Sequence, residues 1–154
     1  MKKKKVKKMF IAFVGIFIII YHGCWIYNFL LYTKFMEGME ETKKFSYYDA
    51  FEDGYIYDVM FPAYLYFTGN LAVSAKVGDN DISLLIWPSR FKKTEFGVML
   101  PAVGNSFQSI MIDKNGIALE EYEKQATEEY KEEIENLFQK ASERWGEDFD
   151  CLMD

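Results

Sequence analysis

The stretch Met9–Thr33, MFIAFVGIFIIIYHGCWIYNFLLYT, decides the architecture of this chain, because it contains no Asp, Glu, Lys or Arg. A helix rises about 1.5 Å per residue, so about 20 apolar residues cross the ~30 Å hydrocarbon core of a bilayer. Four large amphipathic rings, Tyr21, Trp25, Tyr27 and Tyr32, crowd its second half, where they can lie at headgroup level. We therefore predict a transmembrane helix over residues 9–33, with its outer boundary near Tyr32.

The residues before this stretch indicate its orientation. Residues 1–8 contain six lysines, and cations beside a spanning helix stay on the cytoplasmic side. The prediction is a single-pass protein of the cell membrane with a cytoplasmic basic segment and an extracellular C-terminal part. A cleaved signal peptide and a lipoprotein signal ending at Gly23-Cys24 remain alternatives. The length of the apolar run, the lack of a small-x-small site after it, and Tyr21-His22 before Gly-Cys favour the uncleaved anchor.

The net charge of −6 hides a segregation of charge along the chain. All 24 acidic residues but only 11 of the 18 basic residues follow Phe35, so the exported part carries a formal charge of −13. A strongly negative field repels nucleic acid and attracts basic proteins. We therefore expect a basic protein partner and no nucleic acid, with solubility alone as the alternative explanation of the charge.

The first part of the exported chain gives two predictions. Residues 34–44 are polar and mixed in charge, which indicates a stalk or a helical extension of the anchor before a domain over 45–154. Residues 45–62 have apolar side chains at near-helical spacing, which predicts a helix ended by Pro62. Their many aromatics and Gly54 also suit a strand pair.

The middle of the chain changes to a period of two, which predicts strands. The predicted strands cover residues 64–77, 82–88, 91–100 and 106–112. The turn-rich residues 78–81 join the first two as a hairpin, and four consecutive short strands indicate an antiparallel meander.

The end of the chain predicts a long helix from about Ala118 to Trp145, because apolar residues recur three or four positions apart and Gly146 supplies a stop. Such a stripe must be buried against a sheet. The sequence therefore predicts an α+β fold in which the meander is packed on one face by helices, including this long C-terminal one. The opposite face would stay open for a partner protein.

Residues that carry chemistry are scarce. The single histidine, His22, lies in the predicted membrane helix, which argues against Ser-His-Asp or Cys-His catalysis and zinc binding in the exported domain. Asp113-Lys114-Asn115-Gly116 is similar to the start of a calcium loop, but Met111 stands where an EF-hand needs an acid, so a turn is favoured. We expect no enzyme activity, cofactor, metal or small-molecule substrate. An exported metal enzyme that uses carboxylates is the least favoured alternative.

Four stretches of the exported part carry a family resemblance. They are YLYFTGNLAVSAK (64–76), ISLLIWP (82–88), FKKTEFGVML (91–100) and SIMIDKNGIALEEYEKQ (109–125). With the lysine-led anchor, they make the chain resemble the TipC family of immunity proteins. The resemblance implies a tethered protein on the outside of a Gram-positive cell that neutralises a type VII-secreted toxin, one that degrades the cell-wall precursor lipid II. It also implies that a concave sheet surface within Tyr64–Ile112 covers the toxin.

The predicted partner-binding residues combine aromatic anchors with acidic groups. They are Trp87, Phe91, Phe96, Asp79, Asp81 and Glu95. Buried aromatics supply binding energy at interfaces, and acidic groups accelerate association with a basic partner. The predicted function is a membrane-anchored extracytoplasmic immunity protein that binds and neutralises a secreted antibacterial toxin. The alternative is a structural or accessory subunit of a membrane or cell-surface assembly, although no Glu precedes Glu37, which disfavours a pilin.

Overall fold

The computed structural model describes residues 2–42, 47–77, 80–102 and 106–153. Within these ranges the chain forms a long N-terminal helix, an antiparallel sheet and a C-terminal helical layer, which confirms the predicted α+β fold. The elements are α1 (Lys2–Tyr32), β1 (Glu40–Glu41), β2 (Tyr47–Glu52), β3 (Tyr55–Met60), β4 (Asn70–Val77), β5 (Asn80–Trp87), β6 (Glu95–Ala102), β7 (Ser106–Ile112), a 3-10 turn (Glu121–Glu123), α2 (Lys124–Glu129), α3 (Lys131–Trp145) and α4 (Glu147–Met153).

The sheet is a meander of seven strands in the described part of the chain. Its spatial order, β1 to β7, is the sequence order, and every neighbouring pair is antiparallel. Each strand therefore pairs with the next through a local connection. The four strands β4 to β7 are those predicted from the sequence, β2 and β3 are the strand pair given as the alternative for residues 45–62, and β1 is additional.

The helix expected over residues 45–62 is wrong, and the strand pair is right. From Tyr47 onward this segment forms β2 and β3, joined by a two-residue turn at Asp53-Gly54. Both turn residues have positive φ, 52° and 86°, which matches the twist of a tight hairpin. The helix-like spacing of the aromatics was a coincidence, because Tyr55, Tyr57 and Val59 alternate toward one face of the sheet.

The first predicted strand, 64–77, begins later than expected. Its β4 starts at Asn70, and residues 61–69 form a connection whose carbonyls accept hydrogen bonds from α1 side chains. Leu65 lies in the left-handed region, with φ of 66°. These carbonyls are therefore satisfied by the helix, and no neighbouring strand is needed.

One face of the sheet carries the hydrophobic core. Its inward residues are Tyr57, Val59, Leu71, Val73, Ile82, Leu84, Ile86, Phe96, Val98, Leu100, Ile110 and Ile112, all buried. The buried stripe of α3 (Ile134, Leu137, Ala141 and Trp145) and Phe149 of α4 belong to the same cluster. We call this side the covered face. An amphipathic helix and an alternating sheet thus bury their apolar sides against each other.

The predicted C-terminal helix is broken into shorter pieces. A 3-10 turn and α2 precede Tyr130, whose φ and ψ of −108° and 24° interrupt the helix before α3. Buried Thr127 explains the separate docking of α2, because its hydroxyl accepts a hydrogen bond from the Ala118 N–H at 3.4 Å. Gly146 ends α3 with φ of 54°, as predicted, and α4 follows it.

The end of α1 belongs to the domain. Tyr32 and Phe35 are among the largest fully buried side chains of the protein. The Tyr32 hydroxyl donates to the Pro88 carbonyl at 2.9 Å, and the Trp145 indole N–H donates to the Phe35 carbonyl at 3.0 Å. The stalk expected over residues 34–44 is therefore, as far as residue 42, packed against the domain. This segment is polar in composition, but Phe35 is buried in the core and Met36 and Met39 are partly buried against it.

α1 is the one helix in the described residues that is long and apolar enough to cross a membrane. The qualifying span is Val6–Tyr32, with a mean hydropathy of 2.2. Its apolar side chains between Met9 and Ile20 are mostly exposed, in contrast to the buried end at Tyr32. One helix therefore combines an unpartnered apolar half with a half that the domain holds.

Candidate binding face

The sheet has a second face that no helix in the described ranges covers. Its residues lie opposite one another across the strands in three rows. The first row is Phe51, Ile56, Ser74, Ser83, Met99 and Ser109. The second is Glu40, Asp49, Asp58, Ala72, Leu85, Gly97 and Met111. The third contains Tyr47, Met60, Asn70, Trp87 and Glu95. We call this surface the open face.

The open face exposes large apolar side chains that a monomer would normally hide. Phe51 is 75% exposed, and Ile56, Met60 and Met111 are exposed as well. The apolar helix side chains cluster with strand residues of the covered face alone. Phe51 and Ile56 lie directly opposite each other, and exposed apolar residues that adjoin one another mark interaction surfaces more often than scattered ones do.

One end of the open face is acidic. Glu40, Asp49 and Asp58 lie side by side across β1, β2 and β3. Burial and the neighbouring charge of Asp49 raise the pKa of Asp58, although a hydrogen bond from the Tyr47 hydroxyl opposes the shift. Burial and Asp58 also raise the pKa of Tyr47, so this hydroxyl stays protonated and donates. Like charges placed opposite each other cost stability, and a cationic partner would relieve that cost.

The β5 and β6 part of the open face contains a tryptophan that packs against the sheet. The Trp87 ring lies over Gly97 on the adjacent strand, because a Cβ added at Gly97 would stand 2.9 Å from Trp87 Cζ3. Leu85 and Met99 flank this pair in the rows of the sheet. A ring already held against the sheet loses little freedom when a partner covers it.

The predicted site residues divide between several places. Trp87 and Glu95 lie directly opposite each other on the open face, and exposed Asp81 lies on the same face at the start of β5. Phe91 is 53% exposed but lies in the β5–β6 connection beside Tyr27 of α1. Asp79 lies outside the described residues.

Phe96 is a correction to the predicted site. It is 4% exposed on the covered face, and its ring centroid lies 5.5 Å from that of Phe138. Even-numbered residues of β6 face the helices, and odd-numbered residues face outward. Phe96 therefore stabilises the core and cannot contact a partner on the open face.

The β2 and β3 part of the open face was not among the predicted site residues. Phe51, Ile56 and the pair Asp49–Asp58 belong to a segment for which a helix was favoured and a strand pair was the alternative. The Asp53-Gly54 dipeptide was the available signal, since such pairs favour tight hairpins with positive φ at both positions.

A cavity of about 480 Å³ lies near the open face, where β6 begins and β7 ends. Lys92, Lys93 and Lys114 line it together with apolar side chains. Asp113 lies at its rim. Burial by itself would raise the pKa of this carboxyl, but hydrogen bonds from the N–H groups of Ile117 and Asn115 outweigh burial, so the pKa is lowered. Asp113 is therefore occupied in holding its own turn, as predicted for this motif.

The described part of the chain has no group of three or more His, Cys, Asp or Glu side chains arranged to hold a metal ion. Comparison with known proteins assigns no relative: no protein-family model, curated protein or solved structure matches this chain. The resemblance to the TipC family thus stays a prediction. The open face and α1 are the features from which function is inferred.

Proposed function

We propose that this chain is a membrane-anchored immunity protein whose open face binds and neutralises a secreted antibacterial toxin. The observation that carries the proposal is the open face itself, an uncovered sheet surface on which exposed apolar side chains lie beside carboxylates. Binding there would act by covering the toxin, with no chemical step.

The anchor supports an extracellular position for the domain. The span Val6–Tyr32 of α1 is long and apolar enough to cross a bilayer, and lysines precede it. The positive-inside rule keeps those lysines in the cytoplasm, so the chain would cross the membrane once and expose its C-terminal domain outside. A toxin that attacks lipid II works at that outer surface, where a tethered inhibitor would meet it.

The chemistry of the open face favours a basic protein partner. Trp87 and Phe51 offer aromatic contact area, which is where binding energy concentrates in protein interfaces. Asp49 and Asp58 offer negative charge beside it. The part of the chain after Phe35 carries a formal charge of −13, which would attract a cationic toxin before contact. Salt screens this attraction and should weaken it.

The proposal is tested by competition between bacteria. A strain deleted for this gene is grown with attackers that secrete lipid II-degrading toxins through a type VII system, and is complemented with the wild type, Trp87→Ala or Tyr122→Ala. Tyr122 is the matched control, an aromatic residue 79% exposed outside the open face. We expect the wild type and Tyr122→Ala to protect equally. Trp87→Ala should lose about 2 kcal/mol of binding, or about 30-fold in affinity, and protect poorly.

Two results would contradict the proposal. Survival of the deleted strain beside every such attacker would remove the immunity function. A growth or envelope defect of the deleted strain without any attacker would favour the alternative, a structural or accessory subunit of a membrane assembly.

A further inference from the structure

The membrane end of the domain carries a second feature that the toxin-binding proposal does not use. We propose that the connection 61–69 and the connection 88–93 form a second membrane contact, through which the tip of the domain enters the outer leaflet. This inference relies on the proposed anchoring of α1. Both connections lie at the same end of the strands, since one follows β3 and the other follows β5 in an antiparallel meander.

Side chains of α1 hold the connection 61–69 at a fixed place along the helix. The Tyr21 hydroxyl donates to the Leu65 carbonyl at 2.8 Å, and the Trp25 indole N–H donates to the Ala63 carbonyl at 3.1 Å. His22 Nε2 and the Tyr64 hydroxyl are 2.7 Å apart. The tip of the connection therefore lies at the level of residues 21–25.

Asn28 extends this attachment to the second connection. Its amide donates to the Phe67 carbonyl at 2.6 Å, and its side-chain oxygen accepts a hydrogen bond from the Arg90 N–H at 3.2 Å. Asn28 is fully buried between these partners. One side chain of α1 thus joins both connections, so they cannot move independently along the helix.

The length of α1 sets the depth of this attachment in the membrane. Tyr21 follows Lys8 by 13 residues and Asn28 follows it by 20, which correspond to about 20 Å and about 30 Å along a helix. The hydrocarbon core is about 30 Å thick. If Lys8 marks the inner boundary, the residues that hold the connections lie at or below the outer boundary. A tilt of the helix would bring them deeper still.

The two connections have a composition suited to the outer leaflet. Tyr64, Tyr66 at 68% exposure, Leu65 and Phe91 all present large side chains to the surroundings. Tyrosine rings favour the headgroup region, where one end of the ring is apolar and the other is hydrated. In water the same four side chains would form an exposed apolar tip with no evident use.

The charge of the two connections differs from that of the rest of the domain. Residues 61–69 and 88–93 contain no acidic residue, although the chain after Phe35 carries a formal charge of −13. Their charged residues are Arg90, Lys92 and Lys93; Arg90 stacks on the Tyr27 ring at 4.5 Å, and Lys92 pairs with Glu95 of β6 at 2.7 Å. Cations beside a membrane attract the phosphates of anionic lipids, whereas carboxylates would be repelled. The two connections themselves are thus free of acids, although Glu95 and Asp113 lie near them.

The test measures the depth of single labelled sites in the full chain, reconstituted in vesicles of phosphatidylcholine and phosphatidylglycerol. In a background of Cys24→Ser and Cys151→Ser, an environment-sensitive fluorophore is attached at Tyr66→Cys, Tyr122→Cys or Ile16→Cys. Nitroxide lipids report contact with the bilayer by quenching. Position 122, in the 3-10 turn outside both connections, is the control for an exposed aromatic, and position 16 reports on the anchor itself.

We expect strong quenching at position 16, several-fold more quenching at position 66 than at position 122, and a blue-shifted emission at position 66. An aqueous spectrum at position 66 with a quenched label at position 16 would overturn the second contact and leave the anchor intact. An aqueous spectrum at position 16 would instead overturn the anchoring on which both proposals depend. A blue-shifted emission at position 66 without quenching by the nitroxide lipids would mean that protein, and not lipid, covers this position. That result would also overturn the inference.

Discussion

The two faces of the sheet are made by the same strands and differ in almost every property. The covered face is aliphatic and aromatic, and its inward residues from Leu71 to Ile112 are nearly inaccessible to solvent. The open face mixes Trp, Met, Ser, Gly and Asp, and it holds three carboxylates in one row. Stability should therefore depend on the covered face, whereas recognition should depend on the open one.

The largest expected effect is on the covered face. Phe96→Ala removes a buried ring and should lower the free energy of unfolding by about 3–5 kcal/mol. Phe51→Ala, on the open face, removes the same ring from an exposed position and should change it by less than about 0.5 kcal/mol. Urea unfolding of the full chain in detergent, followed by circular dichroism, measures both. Equal losses of unfolding free energy for the two variants would show that the open face contributes as much to stability as the covered face.

The next effect tests whether the covered side continues into α1. Tyr32→Phe keeps the ring but removes the hydroxyl that donates to the Pro88 carbonyl and accepts from the Gly69 N–H. Leaving these buried backbone groups unpaired should cost about 1–3 kcal/mol in the same unfolding experiment. Tyr66→Phe, whose ring is exposed, is the control and should be neutral. A neutral Tyr32→Phe would mean that these two hydrogen bonds do not stabilise the attachment of α1 to the domain.

A smaller effect concerns the fixed tryptophan of the open face. Gly97→Ala would place a methyl group 2.9 Å from the Trp87 ring, which must move away. The half-exposed ring can shift, so we expect a cost of about 1 kcal/mol, near the lower end for overpacking. Tryptophan fluorescence and unfolding are compared with Gly97→Ala made in a Trp87→Ala background. The cost should shrink there, and an unchanged cost would point to the nearby Ile110 carbonyl instead.

The smallest effect has the opposite sign. Because burial and then the Asp49 charge raise the Asp58 pKa in the folded state, the folded chain binds more protons between the ordinary pKa and the raised one. Stability then falls as the pH rises through this window, and ionised Asp58 destabilises the protein above it. Asp58→Asn should therefore raise the free energy of unfolding at neutral pH by about 0.2–1 kcal/mol, with the gain vanishing below the ordinary pKa.

This gain should come with a loss of recognition. The asparagine keeps an acceptor for the Tyr47 hydroxyl but removes a charge from the acidic row. Unfolding at neutral and acidic pH, together with the competition assay, measures both sides, and Glu135→Gln on the exposed surface of α3 is the control. A variant that is stabler and fully protective would mean that the acidic row has no part in binding.

Sequence patterns predicted the parts of the fold whose signal is local. The apolar run of α1, the alternation in β5, β6 and β7, the turn at Asp113–Gly116 and the stop at Gly146 follow from hydropathy and backbone preference. For the segment containing β2 and β3 the helix was favoured over the strand pair because its aromatics fit two periods. The Asp53-Gly54 turn decides between them only once both strands pair.

The sequence by itself determined that a helix of membrane length precedes an acidic domain in which a helical layer covers one side of a meander. The tertiary structure alone decided which side. Trp87 and Phe96 are both aromatic residues near strand ends, but Ile86 pairs with Phe96 and Glu95 with Trp87, so the two rings point to opposite faces. Alternation defines two faces, and only the docking of α3 selects the one that loses its water. For the same reason Tyr32 and Phe35, which continue an anchor in sequence, became core residues in space.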